Sequence, residues 1–311
     1  MSSRSIAGLA AVVVLTSMAR VPGAVAEPRV EQNVVYGMFS GLALLMDVHY
    51  PDTPNGYGII FIPGSGWGAP PGLDATPLKE NSERHVYARP LVAAGYTVFA
   101  VNHRAAPRFP YPAAVEDVQR AVRFVRYHAT RYGVSPDRIG AMGGSSGGHL
   151  ASLLGVLDGG GQAGDRSPIN RLSAKVQTVV ARGAGMDFRA CCGDDFPERY
   201  VAAVSGFMGY RLSQPADPSS GDYGRYSEAS PITHVSSDDP PLLMLHGELD
   251  EIVPLEQAER MEEVFRRVGV AVSLLSIPGG RHDDTFGGVA NLPDYVGAMV
   301  EWFDQYLPSR P

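Results

Sequence analysis

The chain has 311 residues, 44% of them hydrophobic and 19% charged, with a formal charge of −7 at pH 7. That length suits one large α/β domain and is too short for two big ones. The acidic balance gives no electrostatic footing for nucleic acid, so no such partner is expected.

The chain begins with Arg4, an apolar run from Ile6 to Val14, and the small-residue pattern Ala24-Val25-Ala26. Together these predict a secretory signal peptide cleaved after Ala26, and so a secreted or periplasmic protein. The alternative is a membrane anchor, but Thr16, Ser17 and Arg20 break the run before it is long enough to span a bilayer. No later segment is a transmembrane candidate, so no stable membrane span is expected after cleavage. Residues 27–311 are expected to form a single domain.

Residues 30–50 alternate apolar and polar around a glycine-containing break, which predicts an antiparallel edge hairpin. Residues 58–62 (GIIFI) and 96–101 (YTVFAV) are continuous apolar runs, as strands buried on both faces require. A helix is predicted around 83–94, between them. The clearest helix covers 113–132, where Val115, Val118, Val122, Val125 and Ala129 recur at three- and four-residue spacings, Pro112 precedes them and Gly133 ends them. A short strand at 139–142 runs directly into MGGSSGGHL, and a helix follows over 148–157. Further strands are predicted at 176–181, 242–245 and 272–277, with helices at 255–268 and 294–307. Strands alternating with helices imply an α/β fold with a mostly parallel central sheet covered on both faces. Residues 187–231, rich in Gly, Pro, Asp and Ser, read as surface loops or a small lid.

Cys191 and Cys192 are adjacent. They can close only a strained ring, stay free, or pair with another chain, and nothing in the sequence chooses among these. No further Cys or His stands at ligand spacing, so no metal and no cofactor are expected.

In an open α/β sheet, ligands bind beyond the carboxyl ends of the strands. MGGSSGGHL lies there, and it fits the nucleophile pattern G-x-S-x-G twice: Gly143-x-Ser145-x-Gly147 and Gly144-x-Ser146-x-Gly148. A serine on such a strand-to-helix turn is held in a strained conformation, and a helix N-terminus favours developing negative charge. A glycine-serine turn capping a helix would look the same, and local physics leaves the two serines tied. A serine nucleophile needs a histidine base. Of eight histidines, His49 falls in the hairpin, His85 and His128 on helices, and His149 on the elbow helix, pointing it away from the serine. His103 and His246 follow strands but precede other features, and His234 lies in the irregular region. His282, in PGGRHDD after the last strand, stands where the chain order Ser, Asp, His places the base. The acid is expected after the preceding strand, where LLMLHGELDEIVP offers Glu248, Asp250 and Glu251; Asp250 is preferred and Asp187 is the alternative. Backbone N–H donors for an oxyanion can come from Pro63-Gly64-Ser65-Gly66-Trp67, after a buried strand.

These stretches resemble an α/β-hydrolase serine esterase, close to the hormone-sensitive-lipase-like and BD-FAE-like branches. VNHRAAPRFPYPAAVEDVQRAV and SPDRIGAMGGSSGGHLA are similar to that family's YRLAP, PAAVED, DRI and GGSAGGHLA pieces. SPITHVSSDDPPLLMLHGELDEIVP is similar to its SPI, then PPLLLHGEADEVVP. The resemblance implies the α/β-hydrolase fold and covers about 42–303, most of the mature chain. It makes Ser145 the nucleophile, with Ser146 in the family's alanine position as a backbone oxyanion donor beside Ser65 and Gly66. It makes Asp250 the acid and His282 the base, and it leaves Arg104 and Asp117 structural. The family's H-G-G-G-W loop departs here to Pro63-Gly64-Ser65-Gly66-Trp67, so the histidine that usually braces it is absent. Few residues precede the GIIFI strand, which leaves no room for an N-terminal cap and favours the BD-FAE-like branch, with a small cap or none.

The expected activity is cleavage of a small-molecule carboxylic ester, such as a carbohydrate acetyl or feruloyl ester or a short-chain acyl ester. Amide cleavage by a peptidase or arylformamidase uses the same fold. A non-catalytic binding protein is the alternative of another class, and the ordered Ser, Asp and His argue against it.

Overall fold

The computed structural model describes residues 29–189, 191, 196–210 and 218–307; the predicted signal peptide, 1–26, lies outside them. The predicted hairpin forms as β1 (Val30–Phe39) and β2 (Leu42–His49), paired antiparallel. Ser40 and Gly41 turn it with φ of 47° and 85°. β3 (Gly58–Ile62) and β4 (Thr97–Val101) are buried at every position, and between them lies α1 (Arg89–Ala93), entered through a wide helical turn over Arg84–Ala88. Then come α2 (Ala113–Tyr127), α3 (Ala129–Tyr132), β5 (Ile139–Gly144), α4 (Ser146–Val156) and β6 (Val179–Arg182). The chain continues through α5 (Glu198–Met208), α6 (Gly221–Glu228), β7 (Leu242–Gly247), α7 (Glu256–Val268), β8 (Val272–Ile277) and α8 (Tyr295–Tyr306).

The eight strands form one sheet in the order β1-β2-β4-β3-β5-β6-β7-β8. β2 pairs antiparallel with β4, and every pair from β4 onward is parallel. The unbroken apolar runs have a direct cause. Ile60 and Ile62 enter a core with α2, α4 and α7 on one face, whereas Ile59 and Phe61 enter a second core with α1 and α8 on the other. Val118, Val122 and Val125 on α2 have no exposed surface, each burial favouring the fold by about 1.5–3 kcal/mol. No helix among the described residues is long and apolar enough to cross a membrane.

Several boundaries differ from the sequence reading. The 113–132 helix is interrupted at His128, whose φ of −100° and ψ of 19° leave the helical region. The elbow helix starts at Ser146, two residues early, because Ser146 and Gly147 are carried inside it rather than before it. The strand expected at 176–181 starts at Val179; just ahead of it Gln177 meets Ile139 twice, its N–H donating to the Ile139 carbonyl at 2.9 Å and its side-chain oxygen accepting the Ile139 N–H at 2.8 Å. The 187–231 segment contains two helices, α5 and α6. α5 buries Tyr200, Val201, Val204, Phe207 and Met208, a helical period that its polar surroundings obscure.

Candidate active site

β5 delivers the chain to a sharp turn at Ser145, where φ is 50° and ψ is −121°. A non-glycine residue held there costs roughly 1–3 kcal/mol, and the Ser145 N–H is fixed by the Arg182 carbonyl at 2.6 Å. All four flanking glycines are sterically required. A Cβ on Gly143 would overlap the Gly147 carbonyl group, one on Gly147 the Ile62 carbonyl oxygen, and one on Gly148 would lie 2.9 Å from the Ala184 Cβ. A Cβ on Gly144 would run into Glu83 and Arg182. Both G-x-S-x-G frames therefore satisfy the packing, and the positive φ at Ser145 and the direction of each hydroxyl tell the two serines apart. Ser145 Oγ lies 2.9 Å from His282 Nε2. Ser146 Oγ instead accepts the Ser65 N–H at 2.9 Å.

His282 sits on the loop after β8. Its backbone N–H donates to Glu251 Oε2 at 3.2 Å, and its Nδ1 lies 2.7 Å from Asp250 Oδ2. Asp250, on the loop after β7, accepts the N–H groups of Ile252 and Val253 on Oδ1 at 2.9 and 2.7 Å. Burial alone would raise the Asp250 pKa, but the hydrogen bond and charge of His282 outweigh it, with help from His246, and hold the carboxyl below its ordinary range. Gly183, at φ 53°, lets the end of β6 pass this pair, since a Cβ there would sit 3.3 Å from both Asp250 Oδ2 and His282 Cε1.

Among the described residues, His282 is the histidine that lines the cavity beside Ser145. His149 is buried, accepts Trp67 Nε1–H on Nδ1 at 3.1 Å, and donates from Nε2 to the Ala229 carbonyl at 2.7 Å. Burial drives its pKa down to about 3. His49 is likewise pushed down, to about 4, by burial and the Arg84 charge. His234 donates to the Glu228 carbonyl, and His103 meets the Arg104 carbonyl. His246, passed over in the sequence, lies 3.4 Å from Asp250 Oδ2 and 2.9 Å from the Val253 carbonyl. Burial lowers its pKa, so it stands beside Asp250 as a neutral ring. Asp187 does not reach His282: Arg189 engages both its oxygens at 2.8 Å. Arg104 and Asp117 form a buried pair. Cys191 is buried and disulfide-bonded; position 192 lies outside the described residues.

The loop expected to supply oxyanion donors is held from several sides. Gly64 N–H donates to Glu83 Oε2 at 2.6 Å, and its carbonyl accepts from Asn81 Nδ2 at 2.7 Å. Trp67, at φ 57°, stacks on Phe207 with centroids 4.6 Å apart. Of the three residues expected to donate to an oxyanion, Gly66 and Ser146 have backbone N–H groups with no protein acceptor among the described residues, and both line the cavity. The Ser65 N–H is already engaged by Ser146 Oγ, a hydroxyl standing in the family's alanine position. The sequence reading missed Glu83, Arg182 and Asn81, which no motif marks. The cavity encloses about 480 Å³ and takes Tyr200 and Ala203 from α5, in the 187–231 segment, as part of its wall. A second cavity of about 530 Å³ adjoins it across Gly64, Ser65, Asn81 and Ser82.

The BD-FAE family model matches residues 46–265. LipM of Mycobacterium tuberculosis is 32% identical over 67% of this chain and 44% of its own length. The esterase LipQ of the same organism is 30% identical over 72% of this chain and 49% of its own length. The chain thus spans about half the length of these relatives. A truncated carbohydrate esterase from gut microbiota superposes with a TM-score of 0.70 at 26% identity, covering 89% of this chain and 95% of that one. An acetyl ester-xyloside bifunctional hydrolase from Caldicellulosiruptor lactoaceticus superposes with a TM-score of 0.73 at 22% identity, over 89% of this chain and 97% of the other, which speaks to the fold alone. The mostly parallel sheet and its covering helices are those of the α/β-hydrolase fold.

Proposed function

The chain belongs to the BD-FAE family, and from that footing we propose that it is a serine hydrolase of carboxylic esters, with Ser145 as nucleophile, His282 as base and Asp250 as acid. One observation carries the reading: Ser145 Oγ, His282 Nε2, His282 Nδ1 and Asp250 Oδ2 form a continuous relay with steps of 2.9 and 2.7 Å. With its Nδ1–H given to Asp250, the imidazole presents a free lone pair on Nε2 to the serine hydroxyl. Ser145 attacks the ester carbonyl while His282 takes its proton. The tetrahedral oxygen receives the N–H groups of Ser146 and Gly66. His282 returns the proton to the leaving alcohol, and a water activated by the same ring hydrolyses the acyl-enzyme.

The Ser65 N–H, bonded to Ser146 Oγ, ties the loop to the elbow and turns to the oxyanion only if that bond opens. The wall supplied by α5 shapes the acyl and alcohol sides of the cavity, a lid-like role for residues 187–231. Esters of short acyl chains or of acetylated or feruloylated carbohydrates are the substrate class; the likeness to an esterase and to a carbohydrate esterase supports the ester and the carbohydrate in that choice.

The test is hydrolysis of p-nitrophenyl acetate and butyrate by wild type, Ser145→Ala and Ser146→Ala. Ser145→Ala should lose at least about 10⁴-fold in kcat. Ser146→Ala should keep activity within a few-fold, because its backbone donor survives. Absence of turnover together with absence of fluorophosphonate labelling in wild type sinks the enzyme reading. A silent Ser146→Ala beside an active Ser145→Ala reverses the two serines.

A further inference from the structure

Behind the nucleophile, the segment before α1 meets the end of β6. Glu83 and Arg182 pair there through Oε1 and Nη2, their side chains 6% and 4% exposed. Each partner reaches further. Glu83 Oε2 accepts the Gly64 N–H at 2.6 Å. Arg182 accepts the Ser145 N–H on its carbonyl at 2.6 Å and donates from Nη1 to the carbonyl of Asp283, the residue after His282, at 3.3 Å. Asn81 completes the grip: its Nδ2 donates to the Gly64 carbonyl at 2.7 Å and its Oδ1 accepts the Glu83 N–H at 2.9 Å. Both polar backbone groups of Gly64 are thus held by residues 81–83.

Two sequence features acquire a reason from this geometry. Pro63 has no side-chain donor or acceptor and no N–H, so the loop's orientation has to be set by groups outside it. Gly144, one of the four elbow glycines, is the residue whose Cβ would collide with the Glu83 carboxylate and the Arg182 guanidinium. A buried ion pair is poor at adding stability, because desolvation offsets most of the attraction. A carboxylate, however, makes a stronger and shorter bond to a backbone N–H than a neutral acceptor does. The pair is therefore better explained by where it puts the backbone than by what it adds to stability.

We propose that Glu83 and Arg182, assisted by Asn81, are positioning residues for the esterase reaction: they orient the 64–66 backbone toward the oxyanion and lock that loop in register with Ser145 and the His282 loop. The proposal rests on the serine-hydrolase reading above. Loss of the grip should act on the transition state rather than on ground-state binding, since the oxyanion forms only after attack.

The experiment compares wild type, Glu83→Gln and Asn81→Ala, with rates expressed per site titrated by a fluorophosphonate. Glu83→Gln should lose about 10- to 100-fold in kcat with KM within about threefold, as a donor displaced by a fraction of an ångström would cause. Affinity for a trifluoromethyl ketone, which forms a tetrahedral oxyanion on the serine, should fall by the same factor as kcat/KM. Asn81→Ala, at a half-buried position, should show the same pattern at about three- to tenfold. The proposal is overturned if Glu83→Gln keeps its kcat per titrated site within twofold, or if its loss lies in KM while ketone affinity stays. Should Glu83→Gln not fold, an Asn81→Ala variant with unchanged kcat and ketone affinity overturns it equally. Absence of both turnover and labelling in wild type would instead overturn the hydrolase reading, and the role of the pair with it.

Discussion

Replacing Asp250 with asparagine tests the relay at its most constrained point. The Asp250 carboxylate divides its work: Oδ1 accepts the Ile252 and Val253 N–H groups at 2.9 and 2.7 Å, and Oδ2 faces His282 Nδ1 at 2.7 Å. In Asp250→Asn the amide oxygen keeps the two loop bonds, because turning it away would leave two N–H groups facing an NH₂. The amide nitrogen then faces Nδ1, and two donors cannot share that contact. His282 must move its proton to Nε2, which then donates to Ser145 Oγ instead of accepting from it, and the base is lost. The expected fall in kcat/KM at neutral pH is about 10⁴-fold, or roughly 5 kcal/mol of transition-state stabilisation. Because the loop bonds survive, thermal unfolding should shift only a few degrees. The assay is p-nitrophenyl butyrate hydrolysis from pH 6 to 10, beside a melting curve of each protein. An Asn variant that folds normally and keeps kcat/KM within about tenfold of wild type would refute the tautomer argument.

Two further predictions concern the scaffold. Trp67→Phe keeps a ring against Phe207 but strands the buried Nδ1 of His149. The expected cost is about 1–3 kcal/mol, and the melting temperature should fall by about 2–10 °C; an unchanged melt would show that the Trp67–His149 bond adds nothing. The second concerns acid. His49 and His149 have pKa values depressed from 6.5 to about 4 and about 3, so between those values and 6.5 the unfolded chain binds protons that the folded one refuses. Their contribution is fully present above pH 6.5 and is lost as pH falls toward the folded values, at up to about 1.4 kcal/mol per pH unit for each ring. The depressed Asp250 carboxyl adds a loss of the same sign only further down, below its ordinary value of 3.8. Urea unfolding midpoints should therefore decline between pH 6.5 and 4, and midpoints flat from pH 7 to 5 would contradict the buried neutral histidines.

Much of this was legible in the chain because it is written in short-range periodicity. GIIFI and TVFAV are apolar without alternation, and this betrays strands covered on both faces before any partner is known. The stripe Val115, Val118, Val122 and Val125 declares which face of α2 is inward. The order Ser, Asp, His along the sequence, with each residue just past a strand, narrows eight histidines to His282, because parallel strands bring their carboxyl ends to one edge. The helix α5 was hidden for a converse reason: its five buried positions are helical, but its flanks are rich in residues that favour turns.

Other choices depended on contacts between residues far apart in the chain. All four glycines around Ser145 and Ser146 are needed, each against a different neighbour, so glycine pattern could not choose a frame. The resemblance to the family favours Ser145, and in the structure Ser145, at a φ of 50°, is the serine whose hydroxyl meets a histidine 137 residues away in sequence. Asp187 and Asp250 both follow strands, and only the packed molecule gives one to Arg189 and the other to His282. Glu83 meets Arg182 across 99 residues and Gly64 across 19, with no motif to announce either. Strand and helix are set by neighbours a few residues apart and can be read as period. The direction of a hydroxyl, the partner of a buried carboxylate and the groups that hold the Gly64 backbone are set by whichever distant segment the fold brings within 3 Å, and that only the tertiary structure decided.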